Sequence, residues 1–406
     1  MKIAVIGGGA AGFFGAIACA ESNKHAEVTV FEKSKNLLSK VKVSGGGRCN
    51  VTHACFENNL LVRKYPRGSK ELKKPFAQFS TRDTIKWFES KGVALKTEDD
   101  GRIFPVTDNS QTIIDCLMKS AQSAGVKIIT STGVKSIQKD NTDVSKFRIN
   151  FSDEALVFDK VLIAIGGNPN SDSYQWFAAL GHTVVPPVPS LFTFNIPDSK
   201  YDGLMGISVA NASVKVAGVK TEQNGPLLIT HWGLSGPAVL RLSAWEARTL
   251  ADLNYHFSIL INWIPEYNEE SLREKLKNIK SDNPKKIISV NPLFALPKRL
   301  WERLVTIAQI PDELRWLDVS NKQLNKLIEE LLRSQLIVKG KTTFKEEFVT
   351  CGGISLQDIN LDTMESIKCP GMYFAGEVMD VDGITGGFNF QSAWTTGYIA
   401  GKSMAG

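Results

Sequence analysis

The hydrophobic positions of this 406-residue chain change period several times. Ile3 to Ile6 is an unbroken apolar run, which predicts a buried parallel strand over Lys2 to Ile6. Gly7-Gly8-Gly9-Ala10-Ala11-Gly12 interrupts it, and Phe13 to Glu21 resumes as an apolar helix. Glu27 to Glu32 alternates, predicting a second strand that ends in an acid. Ser110 to Ala124 has apolar residues at 113, 114, 117, 118 and 121, the spacing of an amphipathic helix. Strand-like runs follow at 126–130, 133–138, 146–151 and 154–158, and Lys160 to Ile165 reads as a buried strand ending in Gly166-Gly167. Pro186, Pro187 and Pro189 mark a boundary. The next stretch is β-rich, with strands over Ser208 to Val216 and His256 to Ile261. Residues 266–338 take a helical period, with amphipathic segments near 269–279, 297–307 and 321–333. From about 343 the α/β pattern returns. A strand at Met372 ends in Gly376-Glu377, and a helix of small residues runs to the C-terminus. A chain that starts and ends in one α/β domain carries an inserted middle. The boundaries are 1–190 with 343–406 for that domain, 191–265 for a β-rich insert and 266–342 for a helical insert.

The N-terminus admits two readings. A basic Lys2, an apolar run and the small residues Ala18-Cys19-Ala20 resemble a signal peptide. The competing reading is strand, glycine turn, helix, second strand. It places G-x-G-x-x-G between strand and helix, with Glu32 20 residues beyond Gly12, where an acid meets a ribose. We adopt this dinucleotide reading. Gly7 permits the tight turn, Gly9 lets backbone approach a pyrophosphate, and Gly12 lets helix and sheet pack closely. The helix start at Ala10 and Ala11 offers unpaired N–H groups to phosphate. A carboxylate at Glu32, next to Lys33, argues against a 2′-phosphate and hence against NADP at this site. No second nucleotide fingerprint is visible.

Composition narrows the class further. Hydrophobic content is 43% and charged content 22%, which suits a globular protein and excludes collagen, coiled coil and disorder. The longest apolar runs are too short to span a bilayer, so no membrane partner is expected. Six cysteines without C-x-x-C or zinc spacing predict free thiols, a cytoplasmic setting and no metal. The net charge of +6 is mild, yet residues 60–86 alone hold eight Lys/Arg and two acids. Tyr65, Phe76 and Phe79 interleave with Arg63, Lys64, Arg67, Lys70, Lys73 and Lys74. This stretch is either a solvated face or a polyanion-binding patch. Lys40, Lys42 and Ser44 lead into Gly45-Gly46-Gly47, followed by Arg48, Cys49 and Asn50. Three successive glycines expose backbone N–H groups to an anion or a flat ring. Thr230-His231-Trp232-Gly233 opens a loop in which His231 is either an acid/base residue or a structural histidine.

The chain resembles the HI0933-like (YhiN/BaiN-like) family of bacterial flavoproteins, also labelled the aminoacetone oxidase family. The resemblance runs nearly the whole length. It rests on VIGGGAAG, SGGGRCNVT at 44–52, DGRIFP at 100–105, THWGLSGPA at 230–238, TCGGI at 350–354 and YFAGEVMDVDGITGGFNFQSAW at 373–394. It implies a Rossmann-like FAD-binding domain of the two-dinucleotide-binding type, with an inserted β-barrel-like plus helical domain. It places Gly376 and Glu377 by the FAD phosphate and ribityl region, and the Gly386–Asn389 loop, with Gly387, Phe388 and Asn389, at the flavin ring. It gives the Val134 backbone to the adenine, and Gly166 joins the same cofactor set. One stretch departs from the family: Asn168 to Tyr174 stands where a glycine-rich segment is usual.

These features imply an FAD-dependent oxidoreductase, with NADH or NADPH as transient electron donor. Relatives reduce conjugated enones of bile-acid derivatives, oxidise aminoacetone, or form dihydrouridine in large ribosomal RNA. The first and third share hydride addition at a carbon β to a carbonyl, which is the main expectation here, with RNA favoured by the 60–86 stretch. Cys49 and His231 are the candidate proton donors, Cys49 alternatively packing against FAD. The competing functions are an O₂-using oxidase of a small amine and a flavoprotein in which FAD is purely structural.

Overall fold

The unbroken apolar run at the N-terminus becomes the centre of a sheet. In the computed structural model, which describes residues 1–342 and 349–406, β1 (Lys2–Ile6) is hydrogen-bonded on both sides. α1 (Ala10–Ser22) follows it and returns the chain to β2 (Glu27–Phe31). β3 (Lys127–Ile129), β4 (Lys160–Ile163) and β5 (Met372–Phe374) complete a parallel arrangement in the order β5-β4-β1-β2-β3. Ile3 lies opposite Lys160 and Lys2 opposite Glu27, while Val161 meets Met372. Two short antiparallel strands, Ile359–Asn360 and Glu365–Ser366, extend the sheet beyond β5. A strand from the end of the chain thus pairs with one from before residue 190. Burial on both faces explains why β1 and β4 lack alternation.

α2 (Phe388–Ala405) lies against α1 with almost no side chain between them. A Cβ on Gly397 would stand 2.6 Å from the Ala11 carbonyl oxygen, and one on Gly401 would overlap the Gly15 carbonyl oxygen. Small residues permit this backbone approach, and both helices are buried nearly all round, which explains their small amphipathic contrast. Phe14, Phe79, Phe88 and Trp394 fill the adjoining core, and Trp394 donates its indole N–H to the Val51 carbonyl at 2.9 Å. No helix among the described residues is long and apolar enough to cross a membrane.

The described residues divide into two units, 1–190 with 349–406, and 191–342. The boundary read at 343 lies outside the described residues. The second unit is built on a seven-stranded antiparallel sheet that includes Ser208–Val216, Glu222–Ile229 and His256–Asn262. Its helices Glu269–Asp282, Lys298–Ile307 and Asn321–Arg333 share one core with that sheet, around Trp263, Trp301 and Trp316. The helical reading of 266–342 needs one correction. Ser334–Lys339 is a strand with alternating burial, paired to His256–Asn262 with Leu336 opposite Ile259. Its period of two was masked by the helix that runs directly into it.

Candidate active site

The first glycine turn is shaped by packing on one side and left open on the other. Gly7, at φ +113°, donates its N–H to the Phe31 carbonyl at 2.8 Å, and a Cβ there would overlap the Ala164 carbonyl. A Cβ on Gly12 would overlap the Gly7 carbonyl oxygen. Gly9 differs: nothing lies within 4 Å of where its Cβ would be. It precedes α1 without a side-chain cap, and the first intrahelical bond runs from the Phe13 N–H to the Gly9 carbonyl at 3.0 Å. The N–H groups of Ala10, Ala11 and Gly12 therefore start the helix without an intrahelical acceptor. Glu32 closes the turn, its carboxylate accepting from the Gly8 N–H at 2.8 Å and the Ser34 N–H at 2.9 Å. The Thr132 N–H donates to the Glu32 carbonyl at 2.9 Å, and a Cβ on Gly133 would stand 3.5 Å from the Lys33 Cβ, so the segment that leads to Val134 runs past this turn.

A second set of loops converges on the same end of the sheet. Gly376 sits against Ala11, where a Cβ would stand 2.9 Å from the Ala11 Cβ, and its N–H donates to Thr396 Oγ1 at 2.9 Å. Glu377 accepts from Lys40 Nζ at 2.6 Å and from the Thr350 N–H at 2.8 Å. The Thr350 hydroxyl is buried without a hydrogen-bond partner and faces Gly167. Gly45, Gly46 and Gly47 all adopt left-handed backbone, at φ +59°, +70° and +86°. Gly45 is packed against Phe104, whereas Gly46 and Gly47 have nothing within 4 Å of a Cβ position. The side chains around this run are already engaged. Ser44 Oγ donates to the Val41 carbonyl at 3.0 Å, and Arg48 pairs with Glu98 at 2.6 Å while stacking on Phe104. Gly166, at φ +73°, is open in the same sense as Gly46.

The third element is the loop that leads into α2. Gly387, at φ +92°, starts the helix without a side-chain cap. With the Asn50 amide assigned by its hydrogen bonds, its oxygen accepts from the Gly387 N–H at 3.0 Å and its nitrogen donates to the Thr52 carbonyl at 2.9 Å. Asn389 spans the loop by bonding both the N–H and the carbonyl of Gly383, at 2.8 and 2.9 Å. Tyr65 donates its hydroxyl to the Phe388 carbonyl at 2.6 Å. His53 stacks on Phe388 at 4.7 Å between ring centroids, and its Nδ1–H donates to the Gly386 carbonyl at 3.1 Å. Burial holds His53 below the usual histidine range, with Lys64, Asp100 and Arg102 as its charged neighbours. A fully buried carboxylate, Asp382, begins the loop. Arg67 holds it with two N–H groups, and Ser190 Oγ donates to it at 2.7 Å. Burial pushes the Asp382 carboxyl up to about 6, and Arg67 pulls against that shift.

Over residues 1–403 the chain matches the HI0933-like protein Rossmann domain. The chain belongs to the HI0933-like family. It is by class an FAD-dependent oxidoreductase with a Rossmann-like fold. Among its relatives are a 3-dehydro-bile acid delta(4,6)-reductase of Clostridium scindens, 27% identical over 100% of this chain and 99% of that one. A ribosomal RNA dihydrouridine synthase of Escherichia coli is 30% identical over 98% of this chain and 97% of that one. A crystal structure of 3-ketosteroid-delta4-(5alpha)-dehydrogenase from Rhodococcus jostii RHA1 shares the fold, with a TM-score of 0.53 and 13% identity over 100% of this chain and 97% of that one.

The HI0933-like chain draws together most residues singled out in its sequence. Gly7 to Gly12, Glu32, Lys33, Lys40, Gly376 and Glu377 are linked by the contacts above, Val134 follows Gly133 beside Lys33, and Gly387, which leads into Phe388 and Asn389, is joined to Asn50 beyond the second glycine run. Cys49 is fully buried in the core, and burial pushes its thiol up to about 12. His231 stands exposed in the second unit and takes part in none of these contacts. The basic stretch changes character. Tyr65, Phe76 and Phe79 are buried, so they cannot stack on an outside base, and Arg67 is spent on Asp382. Arg63, Lys70 and Lys73 remain exposed, whereas Lys64 is half-buried and Lys74 pairs with Asp362 at 3.2 Å. His53, Tyr65, Arg67, Thr350 and Asp382 were not singled out for the site in the sequence. Asp382 lay inside a quoted motif, and Arg67 was hidden among lysines that do face water.

The HI0933-like residues fit FAD. Open ground beside Gly9, Gly46, Gly47 and Gly166 admits a ligand where any side chain would stand, and the partnerless Thr350 hydroxyl is a polar atom in want of a partner.

Proposed function

We propose that this chain is an FAD-dependent reductase of a carbon–carbon double bond conjugated to a carbonyl, drawing electrons from NADH or NADPH. Uridine in ribosomal RNA is the preferred substrate. The observation that carries the reading is the uncapped start of α2 behind Gly386-Gly387, in the same unit as the open glycine turns. Such a helix start presents N–H groups and a positive dipole end, which favour developing negative charge. The relatives' names fit the same chemistry, since a delta(4,6)-reductase and a dihydrouridine synthase both saturate a conjugated double bond. Hydride adds to the carbon β to the carbonyl, a proton adds to the α carbon, and the donor leaves as NAD(P)⁺.

Bound FAD supplies the two-electron carrier that links donor and substrate. Gly9, Ala10, Ala11 and Gly12 would hold its pyrophosphate by backbone N–H groups, with Glu32 accepting from ribose hydroxyls and Val134 flanking the adenine. Lys40 and Glu377 orient each other and would flank the phosphate and ribityl region, and the backbone of Ser44, Gly46, Gly47, Arg48 and Gly166 would meet the ring. The N–H groups of Phe388 and Asn389 belong to the helix start. Cys49 packs as a thiol and keeps its proton. We assign proton delivery to His53. Its Nδ1–H is committed to Gly386, so Nε2 is the atom that takes up and releases a proton.

The test is mass spectrometry of ribosomal RNA from cells with and without the protein. The expected result is loss of a uridine bearing two extra hydrogens on deletion, restored by purified protein with NAD(P)H. Unchanged RNA, together with turnover of a small enone, would move the substrate to a free small molecule. Rapid oxygen use with an amine and no enone reduction would establish the oxidase instead.

A further inference from the structure

We infer that Phe56 and Arg82 form a stacking platform for an unpaired base of an RNA strand; the inference rests on the RNA reading above. The aromatics that sequence interleaves with the basic stretch are buried, yet Phe56 is 40% exposed. Arg82 lies over one face of its ring, 4.4 Å from guanidinium carbon to centroid. The exposed part of the ring and the planar guanidinium beside it offer ground for a planar partner, and a nucleobase is planar whatever its identity.

The surroundings match a nucleic-acid strand. Leu60, 44% exposed, lies on the short helix Asn58–Leu61 that follows Phe56, and the exposed Arg63 lies on the turn Val62–Lys64. Arg82 and Lys86 share one face of the helix Thr81–Ser90, and both are exposed. Two exposed acids, Glu57 and Glu89, interrupt the patch, against the exposed cations Arg63, Arg82 and Lys86. Exposed apolar area with several cations around it favours stacking plus phosphate neutralisation over a purely ionic contact. Phe56 also lies three residues beyond His53, so the platform adjoins the loop carrying the candidate proton donor. A base stacked there would hold the strand beside a neighbouring uridine taken out of its own stack.

The test is binding of a single-stranded oligouridine RNA to the FAD-loaded protein over a series of salt concentrations, with FAD content and melting temperature as fold controls. Phe56→Ala is expected to weaken binding by about 5- to 150-fold, the span of one lost stack, without changing the salt slope. Phe56→Tyr should restore binding. Arg82→Ala should weaken binding and flatten the slope by about 0.7, one phosphate contact on a single strand. A duplex of the same length should not respond to Phe56→Ala. Equal binding by Phe56→Ala and wild type, or an equal loss on duplex, would overturn the platform while leaving RNA as substrate. Absence of salt-dependent RNA binding by the wild type would overturn the RNA reading itself, and the platform with it.

Discussion

Gly12 and Gly9 stand three residues apart in one turn and meet opposite surroundings. A Cβ at Gly12 would run into the Gly7 backbone, whereas a Cβ at Gly9 would meet nothing within 4 Å. The same contrast separates Gly45, packed on Phe104, from Gly46 and Gly47. Sequence treats all of these as glycines of a fingerprint. Structure sorts them into glycines required by the fold and glycines required by whatever occupies the open side. The largest effect expected is on the first kind. Gly12→Ala forces the start of α1 away from β1, and backbone has no rotamer by which to yield. We expect loss of soluble folded protein, or about 3 kcal/mol or more of stability, measured by denaturant unfolding.

A similar pair divides the basic stretch. Arg67 faces a fully buried carboxylate, while Arg63 faces water. Arg67→Ala leaves the buried Asp382 carboxyl with Ser190 but without its cation, so it must stay charged in the core or take up a proton, which costs about 3–5 kcal/mol. Arg63→Ala should change stability by no more than about 0.5 kcal/mol. Unfolding curves for the two variants, compared with Arg67→Met/Asp382→Leu, sharpen the point. Replacing both partners removes the stranded carboxyl, so the double variant should recover much of the loss. If Arg67→Ala were as stable as Arg63→Ala, the buried pair would have no structural weight.

The open glycines come next in size. Gly9→Ala has ordinary extended backbone at φ −93° and free space, so unfolding of the FAD-free protein should shift by less than about 0.5 kcal/mol. Affinity for FAD, followed by flavin fluorescence, should fall at least about tenfold, or about 1.4 kcal/mol. A variant that bound FAD normally would remove the pyrophosphate from the Gly9 side of the turn.

The contrast also explains which parts of the fold are legible in the sequence alone. Strand, turn and helix from Lys2 to Glu32 are adjacent in sequence, and each boundary has a local cause. The amphipathic helices of the second unit are legible for the same reason, since a period of 3.6 needs no partner to be seen. What escaped was non-local. Nothing near Arg67 reveals that its partner is Asp382, over 300 positions away. Nor does the spacing of Tyr65, Phe76 and Phe79 say that all three turn inward, leaving Phe56 outside. Ser334–Lys339 needed His256–Asn262 beside it before its alternation read as a strand. Cys49 looked reactive because of its motif, and only full burial shows why its thiol resists ionisation.

The two histidines give the smallest and most discriminating effects. His53 is held at the Gly386 loop with its pKa lowered by burial, and His231 is exposed in the other unit. If His53 delivers the proton, turnover needs its protonated form, so the rate rises as pH falls from about 8 toward and below the free-histidine value of about 6.5. Stability moves the other way. The native state favours the neutral ring, so the unfolded chain binds the extra proton below about 6.5, and unfolding becomes easier as pH drops through that value. One group thus predicts opposite slopes in rate and in stability. His53→Gln should flatten the rate slope and reduce the stability slope to the part that the buried His182 and Asp382 carry, while leaving FAD content and NAD(P)H-driven flavin reduction in place. His231→Ala should leave both slopes and, within about 0.5 kcal/mol, the stability unchanged. Loss of the rate slope in His231→Ala, with the slope kept in His53→Gln, would transfer proton delivery to the exposed histidine and leave His53 as a stacking and hydrogen-bonding support for Phe388 and Gly386.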